Sequence, residues 1–266
     1  MYMKIPCSVE ILTLNSEKTL PKCLESVKNF DDVIVIDGNS TDKTVAIAKS
    51  FGARVFPQSD SKEDNIKISD FSLVRNKGIA HAKNDWFLFI DSDEYLSEEA
   101  VEEIKNIVRR GEINNFFVYK LPRKYIINGE IIDRSSMYPN YQVRFFFLPA
   151  VDGFVKKIHE KIRVKKGYKT GTLQNPEYVP FDDWRILKKK WKSYARHQVL
   201  HIDPSFKSLM RFSLQNLVTF SKYVLKYLLT FILGSGKRMP FVYEWLNMTY
   251  HLDLIMLAWK RFLLPS

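Results

Sequence analysis

With 266 residues, 45% of them hydrophobic and 27% charged, the chain has ordinary globular usage and enough length for one or two domains, which excludes a disordered, collagen-like or disulfide-stapled protein. Its 41 Lys/Arg against 30 Asp/Glu leave a formal charge of +11, and the excess is lopsided: residues 1–110 hold 15 basic and 19 acidic side chains, the remainder 26 and 11. A basic C-terminal part of this kind points to nucleic acid or an anionic membrane surface.

The first 110 residues alternate strand and helix. Ser8–Leu14 is an apolar, β-capable run ending in the turn signal Asn15-Ser16. Leu20, Leu24 and Val27 follow at helical spacing, with Pro21 tolerable only in the first turn. Val33–Ile36 reads as a short strand buried on both faces. Ser40 or Thr41 is expected to cap a helix carrying Val45, Ile47 and Ala48, which Gly52 closes. Arg54–Phe56 gives a third strand, and a polar stretch from Pro57 to Asp70 leads to a helix around Phe71–Ala82. Trp86–Ile90, the fourth strand, runs directly into Asp91-Ser92-Asp93-Glu94. Ser97 caps a last helix, with Glu98 and Glu99 in its first turn and Arg109-Arg110 at its end, each sign matching the helix dipole.

Past Asn114 the pattern changes. Phe116–Lys120, Tyr125–Ile127 and Ile131–Ile132 are strand-like, and Asn128-Gly129 is a hairpin signal. Tyr141–Phe147 is another strand, followed by a loop through Asp152-Gly153. Beyond Asp182 the chain reads as helical and basic, with residues 206–233 and 241–264 rich in Leu, Phe and Tyr and separated by Gly234-Ser235-Gly236. Cys7 and Cys23 are too few for a disulfide framework and read as reduced, partly buried thiols. No basic region followed by a long apolar run opens the chain, so no signal peptide is expected, and no stretch reaches the ~20 apolar residues of a spanning helix.

Alternating β and α elements imply a parallel sheet with ligand beyond the carboxyl ends of its strands. Asn15, Asp37 and Asp91–Glu94 all fall at such ends. A bare Asp-x-Asp is more often a polar turn than a site, yet two carboxylates on a turn after a buried strand also suit Mg²⁺ or Mn²⁺ with positions open for phosphate oxygens.

The surrounding words narrow the choice. SVEILTLNSEKTLPKCLESVKNFDDVIVIDGNSTDKTVAIAKSFGARV, then FSLVRNKGIAHAKNDWFLFIDSDE, closely resembles the family 2 glycosyltransferases with the GT-A fold, over residues 6–110. A looser likeness, through His159-Glu160 and the aromatic-basic tail, is to bacterial lipopolysaccharide-core β-glucosyltransferases. The resemblance implies an α/β, Rossmann-like nucleotide-sugar domain with a mostly parallel sheet over residues 1–180 (donor half 1–110, acceptor half 111–180). A basic amphipathic helical region follows over 181–266. It also implies that Leu12, Thr13, Leu14, Asn15 and Glu17 line the nucleotide and that Asp37 faces base or ribose. Arg75 would help fix the donor site, and Asp91, Ser92 and Asp93 would hold the sugar-nucleotide diphosphate, Asp91 and Asp93 through the metal. Many members carry a second acidic residue where this chain has Gly38.

Inverting transfer needs a base for the acceptor hydroxyl. Glu160 is the first candidate, against an exposed charge among lysines; Asp152 is second. His159 either positions the acceptor, ligates the metal or simply packs. The expected reaction moves a hexose, glucose-like, from a nucleotide sugar (a UDP-sugar foremost) to a lipid-linked or lipopolysaccharide-core glycan. The rivals are transfer onto polyprenyl phosphate, which needs no protein base, and a basic nucleic-acid-binding protein. The latter is disfavoured because no binding module is recognisable. In the tail, basic residues beside bulky apolar ones are the composition of an interfacial helix, so a cytoplasmic enzyme peripheral to the inner face of the cytoplasmic membrane is expected.

Overall fold

A computed structural model describes residues 4–110, 116–155, 161–181, 183–200, 202–203 and 205–264. The elements are β1 (Ile5–Thr13), α1 (Leu20–Val27), β2 (Phe30–Asp37), α2 (Thr44–Ser50), β3 (Arg54–Pro57), α3 (Phe71–His81), β4 (Trp86–Asp91), β5 (Tyr95–Leu96) and α4 (Glu98–Arg110). There follow β6 (Phe116–Ile127), β7 (Glu130–Ile131), β8 (Tyr141–Phe147), β9 (Val151–Val155), β10 (Lys161–Val164), β11 (Lys169–Thr172) and β12 (Glu177–Pro180). Three helices complete the chain: α5 (Trp184–Leu200), α6 (Phe206–Ile232) and α7 (Phe241–Leu263). Two compact units divide it, one of residues 1–124 and 140–179, the other of residues 125–139 and 180–266.

In the first unit β3, β2, β1 and β4 lie side by side and parallel. Antiparallel β8 then joins β4, and β6 joins β8. This is the mixed α/β, GT-A-type sheet expected from the sequence. Period-2 alternation along β1 sorts its side chains between two layers. Cys7, Val9 and Ile11 join the core that holds Leu20, Leu24 and Val27 of α1 and Ala100, Ile104 and Ile107 of α4. Leu12 turns the other way and packs with Val74 of α3. Glu10 shares that second face and is fully buried, an unusual place for a carboxylate unless it is paired.

Several local expectations hold and several need correcting. Ser97 Oγ accepts from Ala100 N (3.0 Å), capping α4, and Gly52 closes α2 at φ 79°. Neither Ser40 nor Thr41 caps α2: the helix starts at Thr44, whose N–H is met by Asp42 Oδ1 at 2.9 Å, while Ser40 and Thr41 bond elsewhere in the loop. The two strands expected over residues 116–127 are one, continuing through Pro122 opposite Tyr141. Asp152-Gly153 lies within β9 rather than in a loop.

In the second unit Asn128 and Gly129, at φ 52° and 80°, turn the chain into β7, as a two-residue hairpin with positive φ at both positions requires. Helix α7 packs against both α5 and α6. Ala195, Val199, Leu209, Leu254 and Ala258 form the core of that bundle. No described helix is long and apolar enough to cross a membrane.

Candidate active site

Strand register builds the site. Thr13 pairs with Asp37 across β1 and β2, and Leu12 with Asp91 across β1 and β4. Three loops therefore leave the sheet side by side at one edge. Asp37 is buried there. Its Oδ1 accepts from Thr13 Oγ1 (2.8 Å) and Ser40 Oγ (2.6 Å), and its Oδ2 from Ser40 N (2.8 Å). This carboxylate holds the loop after β2.

The loop after β1 is tied to the same neighbours. Asn15, at φ 50°, donates its N–H to Ser40 Oγ (2.8 Å) and accepts from Thr41 N (2.9 Å) through its side chain. Glu17 accepts from Lys43 N at 3.2 Å. Leu12 and Thr13 are buried, Leu14 and Glu17 half-buried, and Asn15 exposed. Ser92 Oγ lies 2.9 Å from Ser16 Oγ, which ties the loop after β4 to the loop after β1.

Gly38 has a steric explanation. A Cβ there would meet Ile66 O at 2.6 Å, because Ile66 N donates to Gly38 O at 2.7 Å and Asn65 N to Asn39 O at 2.9 Å. The polar segment after β3 folds back over Gly38, so no side chain fits there.

Asp91-Ser92-Asp93-Glu94 forms a turn, closed by Glu94 N donating to Asp91 O at 3.0 Å. It splits its carboxylates. Asp93 is exposed, Glu94 is buried, and the Asp91 side chain is 42% exposed. Asp91 Oδ1 is bound by Arg75 Nη2 and its Oδ2 by Arg144 Nη2 at 3.0 Å. Arg75 Nη1 also reaches Glu10 Oε2 at 3.1 Å, which accounts for the buried glutamate of β1. Gly78 makes room for it: a Cβ there would sit 2.0 Å from Glu10 Oε1.

Arg144, on β8, also pairs with Glu94, and its Nε lies 3.2 Å from Glu177 Oε1. Arg123, on β6, reaches Glu94 as well and lies 2.9 Å from Glu177. The Phe89 ring lies 4.7 Å from the guanidinium of Arg75 and 5.0 Å from that of Arg144, a favourable arrangement of cations over a ring.

Three arginines and four carboxylates thus share one largely water-free cluster. Arg75 is itself fully buried, so it acts on the edge through Asp91. Sequence reasoning missed Arg123, Arg144, Glu10 and Glu177 because their partners lie tens of residues away. The available signal was a charged residue inside each of several apolar strands.

The cluster sets opposed proton affinities. Burial would raise the Asp91 carboxyl, but Arg144 and Arg75 outweigh it and hold the group below the usual carboxylate range. Glu94 goes the other way: burial, with the like charges of Asp91 and Glu177, outweighs Arg144 and Arg123 and pushes it up to about 8. A carboxyl raised on folding contributes stability below its unfolded value, here near 4.5, and loses it as pH rises toward about 8. Melting curves should therefore show a decline between those pH values that Glu94→Gln flattens. An unchanged slope in the variant would reject this assignment.

Asp152 is exposed on β9. That strand is held by Asn76, the neighbour of Arg75 on α3: Phe154 N donates to Asn76 Oδ1 (2.8 Å), and Asn76 Nδ2 donates to Phe154 O (3.0 Å). The adjacent pair Arg75-Asn76 thus fixes the β4 edge with one side chain and β9 with the next. His159 and Glu160 lie outside the described residues. Among the described residues no three His, Cys, Asp or Glu side chains converge as a cation site. Cys7 and Cys23 are buried free thiols.

The model of glycosyl transferase family 2 matches residues 8–215, most of the chain and all of this edge. The chain belongs to glycosyl transferase family 2. Relatives include the SPbeta prophage-derived glycosyltransferase SunS of Bacillus subtilis, 41% identical over 100 residues, 37% of this chain and 22% of that protein. An uncharacterised glycosyltransferase of Rickettsia typhi is 34% identical over 142 residues, 52% of this chain and 45% of that one. The chain thus spans less than half the length of these family members. The crystal structure of S. aureus TarS 1-349 in complex with UDP-GlcNAc aligns over 96% of this chain and 90% of that one, at 15% identity and a TM-score of 0.49.

Proposed function

We propose that this family 2 glycosyltransferase transfers a hexose, with inversion, from a nucleoside diphosphate sugar, foremost a UDP-sugar, to a lipid-linked or lipopolysaccharide-core glycan at the cytoplasmic membrane surface. The observation that carries the donor half is the convergence of the β1, β2 and β4 ends, with Asp91 clamped between two arginines and Asp93 exposed beside it.

Asp93 suits a hard divalent cation, Mg²⁺ or Mn²⁺, as an exposed oxygen ligand. Asp91 already gives each oxygen to a guanidinium, but a carboxylate has about four lone-pair sites, so it can still contribute directly or through water. When bound, the cation would neutralise the growing charge of the departing diphosphate. The loop from Leu12 to Asn15, with Glu17 and Ser92, is the proposed nucleotide seat, with Asp37 beneath it keeping the loop after β2 in shape. Arg75 and Arg144 orient Asp91 from below. Preorganised groups of this kind favour the transition state because they need not reorganise as charge develops.

For the acceptor, Asp152 is an exposed carboxylate able to take the hydroxyl proton. Glu160 and His159 are the other residues proposed for that side.

A panel of nucleotide sugars, assayed for hydrolysis with Mn²⁺ and with EDTA, tests the donor half. The expected result is turnover of a UDP-hexose that EDTA abolishes. Full turnover in EDTA would remove the cation, and no turnover of any nucleotide sugar would remove the donor assignment.

A further inference from the structure

Helix α6 buries Leu209 in the bundle core, but its other buried positions are polar: Ser213, Asn216 and Thr230 are each under 10% exposed, whereas Met210, Leu214, Leu217, Leu225, Leu228 and Ile232 are between 46% and 79% exposed. At about 100° per residue these six fall in a single arc of roughly 80° running the length of the helix. The inward polar groups are satisfied: Trp259 Nε1 donates to Ser213 Oγ (3.0 Å), His251 Nδ1 lies 2.9 Å from Asn216 Oδ1, and Thr230 Oγ1 donates to Tyr227 O (2.7 Å). The polar inward contacts are therefore a bonded packing arrangement, and they leave an apolar stripe, interrupted by Ser221, in water, opposite to what the hydrophobic effect favours. Phe241 and Trp245 of α7 are also exposed, at 56% and 50%.

Charge identifies the occupant. The basic residues of α6 are Lys207, Arg211, Lys222 and Lys226, and the helix has no acidic residue. All four lie on one flank of the stripe, about 100–200° around the helix from Phe206. A second copy of this chain laid antiparallel, stripe to stripe, would bring these cations together, and α6 itself carries no acidic residue to neutralise them. An anionic lipid surface neutralises them and receives the leucines as well. With 27 residues the helix is about 40 Å long, and it does not qualify as a spanning segment.

We propose that α6 lies flat in the interface of an anionic membrane, its Leu214, Leu225 and Leu228 side at the acyl boundary and Lys207, Arg211 and Lys222 among the headgroups. This deepens the reading of a membrane-linked acceptor, on which it rests for its biological purpose, by naming the surface that docks.

The test is flotation of the full chain with vesicles of phosphatidylcholine alone or mixed with phosphatidylglycerol, with nucleotide-sugar hydrolysis and melting temperature read in parallel. The expected result is binding that favours phosphatidylglycerol and falls only in part when salt rises from about 0.15 M to about 1 M, since screening removes the electrostatic share alone. Leu214→Ser, Leu225→Ser and Leu228→Ser together should weaken binding by roughly a hundredfold or more, because three leucines no longer leave water. As these side chains are already exposed in the folded protein, the melting temperature should hold or rise. Glutamate at 207, 211 and 222 (K207E, R211E, K222E) should abolish the preference for phosphatidylglycerol. Hydrolysis should be unchanged in both variants.

Equal flotation with both vesicle types, no flotation, or wild-type binding by the serine variant would overturn the proposal. So would dimers in light scattering that the serine variant dissociates while vesicles bind neither form. Vesicle binding without hydrolysis of any nucleotide sugar would uphold the docking surface while removing the donor reading.

Discussion

Asp93→Asn should lower nucleotide-sugar turnover by about a hundredfold or more while leaving the fold unaltered. The effect is large because the substitution removes the exposed charge at the donor edge, and losing one group that stabilises developing charge typically costs ~10²–10³ in kcat. The fold is spared because Asp93 is an exposed residue of its turn, and exposed substitutions usually change stability by no more than about 0.5 kcal/mol. Turnover and a thermal melt on one sample check both halves. Wild-type turnover would reject Asp93 as a cation ligand; a collapsed melting temperature would show that the turn is structural.

Arg144→Ala should instead strike the stability of the fold. Arg144 is buried and pairs with Asp91, Glu94 and Glu177. Without it these carboxylates keep Arg75, at Asp91, and Arg123, at Glu94 and Glu177, as ion-pair partners among the described residues. Removing one partner of a buried ion pair costs about 3–5 kcal/mol, since the other charge is left uncompensated. In a protein of this size that corresponds to a melting temperature lower by very roughly 10 °C. Arg144→Lys should recover only part of the loss, because a point charge cannot fork between Asp91 and Glu177 as a guanidinium does. Combining Arg144→Ala with Glu94→Gln should cost less than the sum of the two changes, since both act on the same Arg144–Glu94 contact. A melt within about 1 kcal/mol of wild type for Arg144→Ala would contradict a cluster dependent on this residue.

The paired results would separate two roles that the sequence places side by side in Asp91-Ser92-Asp93-Glu94. Linear spacing shows three carboxylates at a strand end. It does not show that the turn sends Asp93 to solvent and Glu94 to Arg123 and Arg144. For the same reason Arg75 could be assigned to the donor edge from its neighbouring words, but its burial and its grip on Glu10 are consequences of packing.

What the sequence determined by itself was local or periodic. Alternating apolar runs specified the β-α order, Ser97 specified the start of α4 through its own side chain, and Asn128-Gly129 specified a hairpin because few other residues tolerate positive φ twice in succession. The arrival of Asn15, Asp37 and Asp91 at one edge followed from strand order alone. Tertiary structure decided everything that depends on a neighbour distant in the chain. It paired Glu10 with Arg75 across 65 positions, laid Ile66 over Gly38 so that no side chain fits, and ran the strands expected over 116–127 together into one, paired with β8 over Val118–Pro122 and with β7 at Ile126 and Ile127. It also decided which side of α6 faces inward. Hydrophobic periodicity reveals that a helix has an apolar stripe, but not which face its neighbours occupy. Here Trp259 and His251 of α7 bond the polar side, Leu209 enters the core, and Leu214, Leu217, Leu225 and Leu228 are left outside.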